Sequence, residues 1–283
     1  MHALRQALAA AVAASLPLLP AALCAQVFNG GLPAGYVCVG APGAAGVCGT
    51  SPANGVVTLA PGGGSAFGYV TTNGSTYLEN PLGVENSTNG SLLLSSPFTA
   101  TAGQPLSFRF NYITSDGSSV FPDYAFVRLL GGTEPIVLFT AQTTPTGNTV
   151  PGFALPTIAP GVTLTPSATP IIATGYEPPS PGPVFGPLGF TSGLCYDFGC
   201  GYTGWIAANY VVGAANTYPL EFGVFNVTDE DYASALAFDF ASGTGGTPNL
   251  DGVTAVPEPA SLVLLGTGLI GVFAVARRRS RRP

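Results

Sequence analysis

The sequence predicts an all-β fold, an antiparallel and jelly-roll-like β-sandwich, with one apolar helical segment at each end of the chain. Short apolar segments recur at roughly ten-residue spacing through the middle of the chain, which is typical of sandwiches and barrels. The 39 Gly and 27 Pro residues separate these segments and favour turns between them. No helical period occurs between residues 26 and 255.

The first 25 residues are predicted to be a secretory signal peptide, forming the N-terminal helical segment. Arg5 precedes an apolar run over residues 7–19, and Leu23-Cys24-Ala25 offers a small-residue cleavage site after Ala25. Cys24 also permits a lipoprotein interpretation, although a small residue would be expected where Leu23 stands. Cleavage by signal peptidase would leave the rest of the chain exported.

Nine strands are predicted between residues 26 and 255, where apolar and β-branched residues cluster between turn residues. They are Val56–Leu59, Ala66–Thr71, Ser91–Phe98, Leu106–Ile113, Tyr124–Leu130, Ile136–Thr140, Trp205–Val212, Thr217–Val227 and Ala235–Phe240.

Apolar and polar residues alternate most clearly in Leu106–Ile113. One face of this strand carries Leu106, Phe108, Phe110 and Tyr112, and the other carries Ser107, Arg109 and Asn111. The segment Thr217–Val227 alternates in the same way. Because an antiparallel sheet with one apolar face needs a second sheet to cover it, the alternation predicts one two-sheet domain.

Residues 141–204 are predicted to be a long, extended insertion in this domain. Eleven prolines lie between Pro145 and Pro187, and the only charged residue in that stretch is Glu177. Proline-rich segments of this kind favour loops over packed strands. The ectodomain is therefore predicted to span residues 26–255, with the insertion inside it.

Residues 256–283 combine a proline triplet, an apolar span and a basic end. Pro257-Glu258-Pro259 precedes an uncharged segment, 260–276, whose length is at the short end of the roughly 17–25 residues that cross a bilayer as a helix. The positive-inside bias should keep the basic end in the cytoplasm. That end consists of Arg277, Arg278, Arg279, Arg281 and Arg282. An ordinary single-pass membrane anchor is the alternative interpretation.

This C-terminal arrangement resembles the PEP-CTERM sorting signal. The resemblance implies processing by an exosortase, an integral-membrane cysteine transpeptidase of Gram-negative bacteria that make exopolysaccharide. It also implies a precursor that is held transiently in the inner membrane, and a mature protein at the cell surface or outside the cell. A second stretch, Phe108–Gly117, is similar to the β-sandwich domains of exported proteins with this signal.

The charge of the exported part excludes several classes of function. Residues 26–256 contain no Lys, only Arg109 and Arg128, and thirteen acidic residues, a net charge of −11 compared with −6 for the whole chain. Nucleic-acid binding is excluded, because phosphate contacts require Lys and Arg. The only His is His2, so neither a catalytic triad nor an imidazole zinc site can form. The sequence predicts a protein that is not an enzyme.

Four cysteines remain after export, and they are predicted to form disulfides. An even number of cysteines in an exported protein favours this interpretation over a metal site. The pairing of near neighbours, Cys38 with Cys48 and Cys195 with Cys200, is preferred. Crossed pairing between the two sites is the alternative.

The acidic residues near the end of the domain form the sharpest candidate binding site. Asp229, Asp231 and Asp239 are predicted ligands of a calcium ion, since Ca²⁺ takes six to eight oxygen ligands from acidic turns and carbonyl groups. Asp116 and Asp123 bracket a second acidic loop. The alternative is that these carboxylates simply solvate the turns between strands.

The predicted function is structural or adhesive, in an exopolysaccharide-rich envelope or biofilm. A carbohydrate-binding module is the first alternative, because Trp205 and the eleven tyrosines could stack on sugar rings. A glycoside hydrolase that uses carboxylates alone is the second.

Overall fold

The structure, a computed structural model, describes residues 28, 30–39, 47–76, 80–174 and 181–240. The predicted signal peptide, the proline triplet, the apolar span and the arginine cluster lie outside these residues. The described part contains fifteen strands and one short 3-10 helix, Gly186–Thr191. The strands are β1 (Val37–Val39), β2 (Cys48–Ser51), β3 (Phe67–Thr71), β4 (Ser87–Leu94), β5 (Phe98–Ala100), β6 (Pro105–Thr114), β7 (Tyr124–Leu129), β8 (Ile136–Gln142), β9 (Val162–Thr165), β10 (Ile172–Ala173), β11 (Gly201–Tyr202), β12 (Ile206–Val211), β13 (Asn216–Tyr218), β14 (Leu220–Val227) and β15 (Ser234–Phe240).

The strands form two main sheets, and every pair of strands in them is antiparallel. The front sheet has the order β1-β4-β14-β7-β8. The back sheet has the order β10-β11-β6-β15-β3-β2, with β12 also pairing with β6 and β9 pairing with β12. A small third sheet pairs β13 with β5. The prediction of an all-β, antiparallel fold is confirmed.

The inward faces of the two main sheets form one aromatic and aliphatic core. From the back sheet, Phe108, Phe110 and Tyr112 of β6 are fully buried, as their alternation predicts. Phe222 of the front sheet stacks on Phe238 of the back sheet, with ring centroids 3.9 Å apart. Each such side chain gains about 1.5–3 kcal/mol by leaving water, so this layer accounts for much of the pairing of the sheets.

The outer faces of both sheets are covered, which the alternation did not predict. All residues of β14 and β15 are buried. On the back sheet, Phe185 and Leu188 from the 3-10 segment pack over Phe67 and Ile113. On the front sheet, Tyr124, Phe126 and Phe225 form a second apolar cluster under the neighbouring loops. The sandwich therefore has apolar layers on three levels rather than one.

The proline-rich stretch 141–204 is more ordered than the sequence predicted. Apart from residues 175–180, which the structure does not describe, it contributes β9, β10, the 3-10 helix and β11. Strand β9 extends the back sheet beside β12, and the 3-10 segment covers the outer face of that sheet. The stretch is therefore not a plain loop, because apolar residues between its prolines pack on the sheet.

Two strand predictions require correction. Val56–Leu59 is not a strand, since Asn54 and Val57 form an isolated bridge across a turn in which Gly55 has a φ of +57°. Val57 is buried because it covers the back sheet. The predicted strand Thr217–Val227 is divided into β13 and β14 by Pro219, which has no N–H to donate to a ladder.

Two disulfides join near neighbours, as predicted. Cys38 and Cys48 have Cα atoms 5.9 Å apart and connect β1 of the front sheet to β2 of the back sheet. Cys195 and Cys200, with Cα atoms 5.7 Å apart, close the loop between the 3-10 helix and β11. The first crosslink holds the edges of the two sheets together, and the second fixes the conformation of a surface loop.

Candidate functional site

The apolar core ends in a layer of buried polar side chains at one end of the sandwich. Thr114 of β6 and Ser234 of β15 are register partners, and each continues the inward-facing alternation of its strand. The two hydroxyl groups lie 2.8 Å apart. Both residues are fully buried. The sequence therefore changes from aromatic to hydroxyl side chains at the same level of neighbouring strands.

Asp123 connects this polar layer to the front sheet. It lies immediately before β7 and is 1% exposed. Its Oδ1 accepts a hydrogen bond from the N–H of Val227 at 3.0 Å, and its Oδ2 accepts one from the hydroxyl of Ser234 at 2.6 Å. The carboxyl group thus bridges β14 of the front sheet and β15 of the back sheet.

Asp116 lies two residues beyond β6 and is fully buried. Its Oδ1 accepts a hydrogen bond from the N–H of Ser118 at 3.0 Å. Its backbone N–H and carbonyl group both bond to the Thr114 hydroxyl, at 3.0 and 2.7 Å. Its Oδ2 has no hydrogen-bond partner. This carboxyl group is therefore only half satisfied inside the protein.

Neutral hydroxyl groups surround the two carboxyl groups. The phenol of Tyr112 donates to the backbone carbonyl of Asp123 at 3.1 Å and lies 2.8 Å from the hydroxyl of Thr143. Ser115 donates to the carbonyl of Ala233 at 2.7 Å. These bonds orient the layer but carry no positive charge.

The electrostatics of this layer oppose two ionised carboxylates. Burial raises the pKa of the Asp116 carboxyl to about 8 against the hydrogen bond from Ser118, and the carboxylates of Asp229 and Asp197 add to the rise. Burial likewise holds the pKa of Asp123 well above its usual range, and Asp116 raises it further. The Asp116 carboxylate thus makes Asp123 harder to ionise, as is usual for adjacent buried acids.

The structure separates the three residues that were predicted to bind calcium. Asp229 and Asp231 lie together on the turn between β14 and β15, where the Asp231 N–H donates to Asp229 Oδ1 at 3.2 Å. Asp239 lies near the other end of β15, opposite Arg109. Five residues of strand, about 16 Å, separate it from Ser234 at the start of that strand. Burial raises the pKa of Asp239 to about 6, although Arg109 opposes the rise.

Among the described residues, no group of three or more His, Cys, Asp and Glu side chains is placed to hold a metal ion. The charge of Asp229 instead acts on Asp116 and Asp123, and it raises the pKa of both carboxyl groups. Sequence reasoning noted those two residues as a second loop but did not place them beside Asp229. It missed the participation of Thr114 and Ser234, although both are polar at positions where the alternation requires an apolar residue.

The outer surface of the back sheet carries an open groove of about 370 Å³. It lies between β2, β3 and the 3-10 helix, where the Asn54 amide oxygen accepts a hydrogen bond from the N–H of Gly186 at 3.0 Å. Its lining is rich in hydroxyl and amide groups and comprises Thr50, Ser51, Asn54, Tyr69, Asn73, Gly186 and Pro187. Trp205 is a packing residue beside it, edge-on to Phe67 with centroids 5.6 Å apart and bonded to the Thr58 carbonyl.

Comparison with known families finds one match in this chain. Residues 255–279 match the model of the PEP-CTERM protein-sorting motif, which confirms the resemblance identified from the proline triplet, the span and the arginines. The chain is thus an all-β protein that carries a PEP-CTERM protein-sorting motif near its C-terminus, and the motif implies an exported protein processed by an exosortase. No helix in the described part of the chain has the length and apolar character needed to cross a membrane.

Similar solved structures include adhesin domains of Lys-gingipain. The K1 cleaved adhesin domain of Lys-gingipain from Porphyromonas gingivalis W83 is 13% identical with a TM-score of 0.33, covering 78% of this chain and 98% of that domain. The K2 domain of Lys-gingipain is 16% identical with a TM-score of 0.35, covering 75% and 90%. The comparison with curated proteins gives no match. At these low scores the structural likeness supports no functional inference.

Proposed function

We propose that this protein is exported, processed at its C-terminal signal by an exosortase, and then acts as a structural or adhesive protein at the cell surface or in the matrix. The observation that carries the proposal is the sorting motif at residues 255–279. Signal peptidase removes residues 1–25, and the span 260–276 crosses the inner membrane until the exosortase acts. An exopolysaccharide-rich envelope or biofilm is the proposed setting, with exopolysaccharide as a partner.

The chemistry of the ectodomain supports a non-catalytic role outside the cell. Two disulfides suit an oxidising compartment. Residues 26–256 contain neither Lys nor His, which removes the usual general bases and nucleophile activators other than carboxylates. The carboxyl groups of Asp116, Asp123 and Asp239 are all buried, at most 1% exposed, rather than displayed in an open cleft. A hydrolase that uses carboxylates is therefore disfavoured.

The intact mass of the protein recovered from its host is expected to lack two segments. Signal peptidase should remove the first 25 residues, and the exosortase should remove the segment that follows Pro257-Glu258-Pro259. Mass spectrometry of the protein from the envelope and the medium measures both losses, and any added mass identifies a covalently attached group. A mature protein that retains residues 262–283 would contradict the proposal and leave an ordinary membrane anchor.

A triplet variant with Pro257→Ala, Glu258→Gln and Pro259→Ala sharpens this measurement. It should keep the C-terminal segment and stay in the membrane fraction, because the extended proline motif that the exosortase grips is lost. Pro248→Ala with Asp251→Asn is the matched control, which alters a nearby proline and acid outside the motif. Normal processing of the triplet variant would show that another signal directs sorting.

Carbohydrate binding is the second candidate, and the polar groove on the back sheet favours it. Hydroxyl and amide side chains around the aromatic ring of Tyr69 offer hydrogen bonds and a stacking face, the two kinds of contact that a polar, ring-shaped ligand needs. The groove is open, which suits a polymer better than a small enclosed ligand.

A polysaccharide-retention experiment tests this second candidate. The purified protein should bind the host exopolysaccharide, and Tyr69→Ala with Asn73→Ala should weaken binding about tenfold, or about 1.4 kcal/mol, through the loss of stacking and hydrogen bonds. Tyr196→Ala is the control, since this exposed tyrosine lies outside the groove. Loss of binding in the control alone would move the site to that surface, and no retention of the wild type would leave a purely structural role.

A further inference from the structure

The buried polar layer contains more hydrogen-bond acceptors than the protein has donors to satisfy. Asp123 Oδ1 and Oδ2 accept from Val227 and Ser234, and Asp116 Oδ1 accepts from Ser118. Asp116 Oδ2 has no partner, although the residue is completely buried. A buried carboxylate oxygen without a partner costs several kcal/mol unless a cation or a proton compensates it.

Asn226 adds a second unsatisfied oxygen at the same level of the sandwich. The register of β14 and β7 pairs Phe225 with Tyr124, so the next residues along each strand, Asn226 and Asp123, are neighbours. Asn226 continues the inward alternation of Leu220, Phe222 and Val224 but is polar. It is 2% exposed, and its Oδ1 has no hydrogen-bond partner.

No cationic side chain of the ectodomain neutralises this layer. The exported part of the chain has only two, Arg109 and Arg128. Arg128 forms an ion pair with Glu221, and Arg109 lies opposite Asp239 near the other end of β15. Buried carboxylates in proteins are paired with a cation or coordinate a metal. Here the compensation comes either from a proton on the carboxyl groups or from a cation that is not part of the polypeptide.

We propose that Asp116, Asp123 and Asn226 form a binding site for one calcium ion between the two sheets. All of these groups offer carboxylate or amide oxygens, the ligands that Ca²⁺ prefers, and none offers nitrogen or sulfur for a transition metal. Amide and backbone carbonyl oxygens are ordinary Ca²⁺ ligands, so two buried carboxyl groups suffice as the charged core.

The proposed site differs from the one predicted from sequence. It replaces Asp229, Asp231 and Asp239 with Asp116 and Asp123 and adds the amide of Asn226. It also spans both sheets, because Asp123 and Asn226 belong to the front sheet while Asp116 follows β6 of the back sheet. Calcium would therefore act as a crosslink at the end of the sandwich.

Calcium titration of the protein isolated from its host, stripped with EDTA and desalted, tests the proposal. Equilibrium dialysis should show one ion bound at this site, with a dissociation constant at or below about 1 mM, the weak end for extracellular modules. At a hundredfold excess over the dissociation constant, the melting temperature should rise by roughly 5–10 °C. A wild-type protein that shows neither binding nor a shift, or responds equally to Mg²⁺, would overturn the proposal.

Asp116→Asn is the decisive variant, because it removes the charge but keeps the shape of a buried side chain. The calcium-free variant should melt at or above the temperature of the calcium-free wild type, since the repulsion with Asp123 is relieved. Its calcium affinity should fall at least tenfold. A variant that stays folded and still binds calcium normally would refute the assignment.

Asp231→Asn and Asp239→Asn are the matched controls, each removing one carboxylate that sequence reasoning placed in the site. Both should retain the calcium-dependent shift. If Asp239→Asn instead abolishes binding while Asp116→Asn does not, the ion lies at the other end of β15 and the proposed site is wrong. These readouts do not depend on exosortase processing, so they can fail independently of the sorting proposal.

Discussion

Replacing Phe238 by alanine is expected to lower the free energy of unfolding by about 3–5 kcal/mol, the usual cost of removing a buried aromatic ring. Phe238 is fully buried and stacks on Phe222 across the two sheets, with Phe28 edge-on at 5.5 Å. Its ring also lies over Gly68, where even a Cβ atom would come within 2.4 Å of it. The cavity would thus open at the centre of the contact between the sheets.

Urea unfolding followed by circular dichroism measures this loss. Phe190→Ala is the control, because this phenylalanine is 78% exposed and its removal should change stability by less than about 0.5 kcal/mol. Phe238→Leu should fall between the two, since it keeps part of the buried volume. Equal stability of Phe238→Ala and Phe190→Ala would show that the two sheets do not pack through this ring.

Arg128→Met is expected to cost about 3 kcal/mol, near the lower end for breaking a buried ion pair. The guanidinium group donates to Glu221 Oε2 at 2.7 Å and to the Pro81 carbonyl at 3.1 Å, and lies 5.1 Å from the Phe126 ring centroid. Glu221 is only 7% exposed. The variant leaves its carboxylate buried without a partner, and that uncompensated charge accounts for most of the loss.

The double variant Arg128→Met with Glu221→Gln separates charge from packing. It should recover much of the stability lost in the single variant, because no unpaired charge remains. Glu134→Gln, an exposed acid on the β7–β8 turn, is the control and should be neutral. A double variant as unstable as Arg128→Met would mean that the hydrocarbon part of Arg128, rather than its charge, stabilises the front sheet.

The strands that the sequence predicted best are those with one apolar face. The alternation of Phe108, Phe110 and Tyr112 predicted β6 and the face that it buries. The Gly and Pro residues in the turns indicated where the neighbouring strands begin and end. The alternation could not reveal that β14 and β15 are covered on both faces. That covering depends on Phe185 and Leu188, which lie in a segment whose prolines favoured a loop.

The candidate cation site was harder to predict from the sequence, because it depends on how the strands are aligned with one another in the sheets. Asp116 and Asp123 bracket one loop, but Asn226 lies far from both along the chain. The three residues come to the same end of the sandwich only because β6 and β14 end there and β7 begins there. A signal was nonetheless present: Thr114, Asn226 and Ser234 each place a polar side chain where the strand pattern requires an apolar one. The sequence pointed to Asp229 and Asp231 instead, because acidic residues that are close together along the chain can be recognised without knowing the fold.

The position of β15 has a consequence for the order of events during export. This strand is the last element that the structure describes, yet it lies inside the back sheet between β6 and β3. Until it has crossed the membrane, β6 and β3 have a gap between them and two unpaired edges. The sheet therefore closes only after nearly the whole ectodomain has been translocated. Residues 241–256, at most about 55 Å when extended, then separate β15 from the proline triplet, so the fold can be completed before the sorting motif is processed.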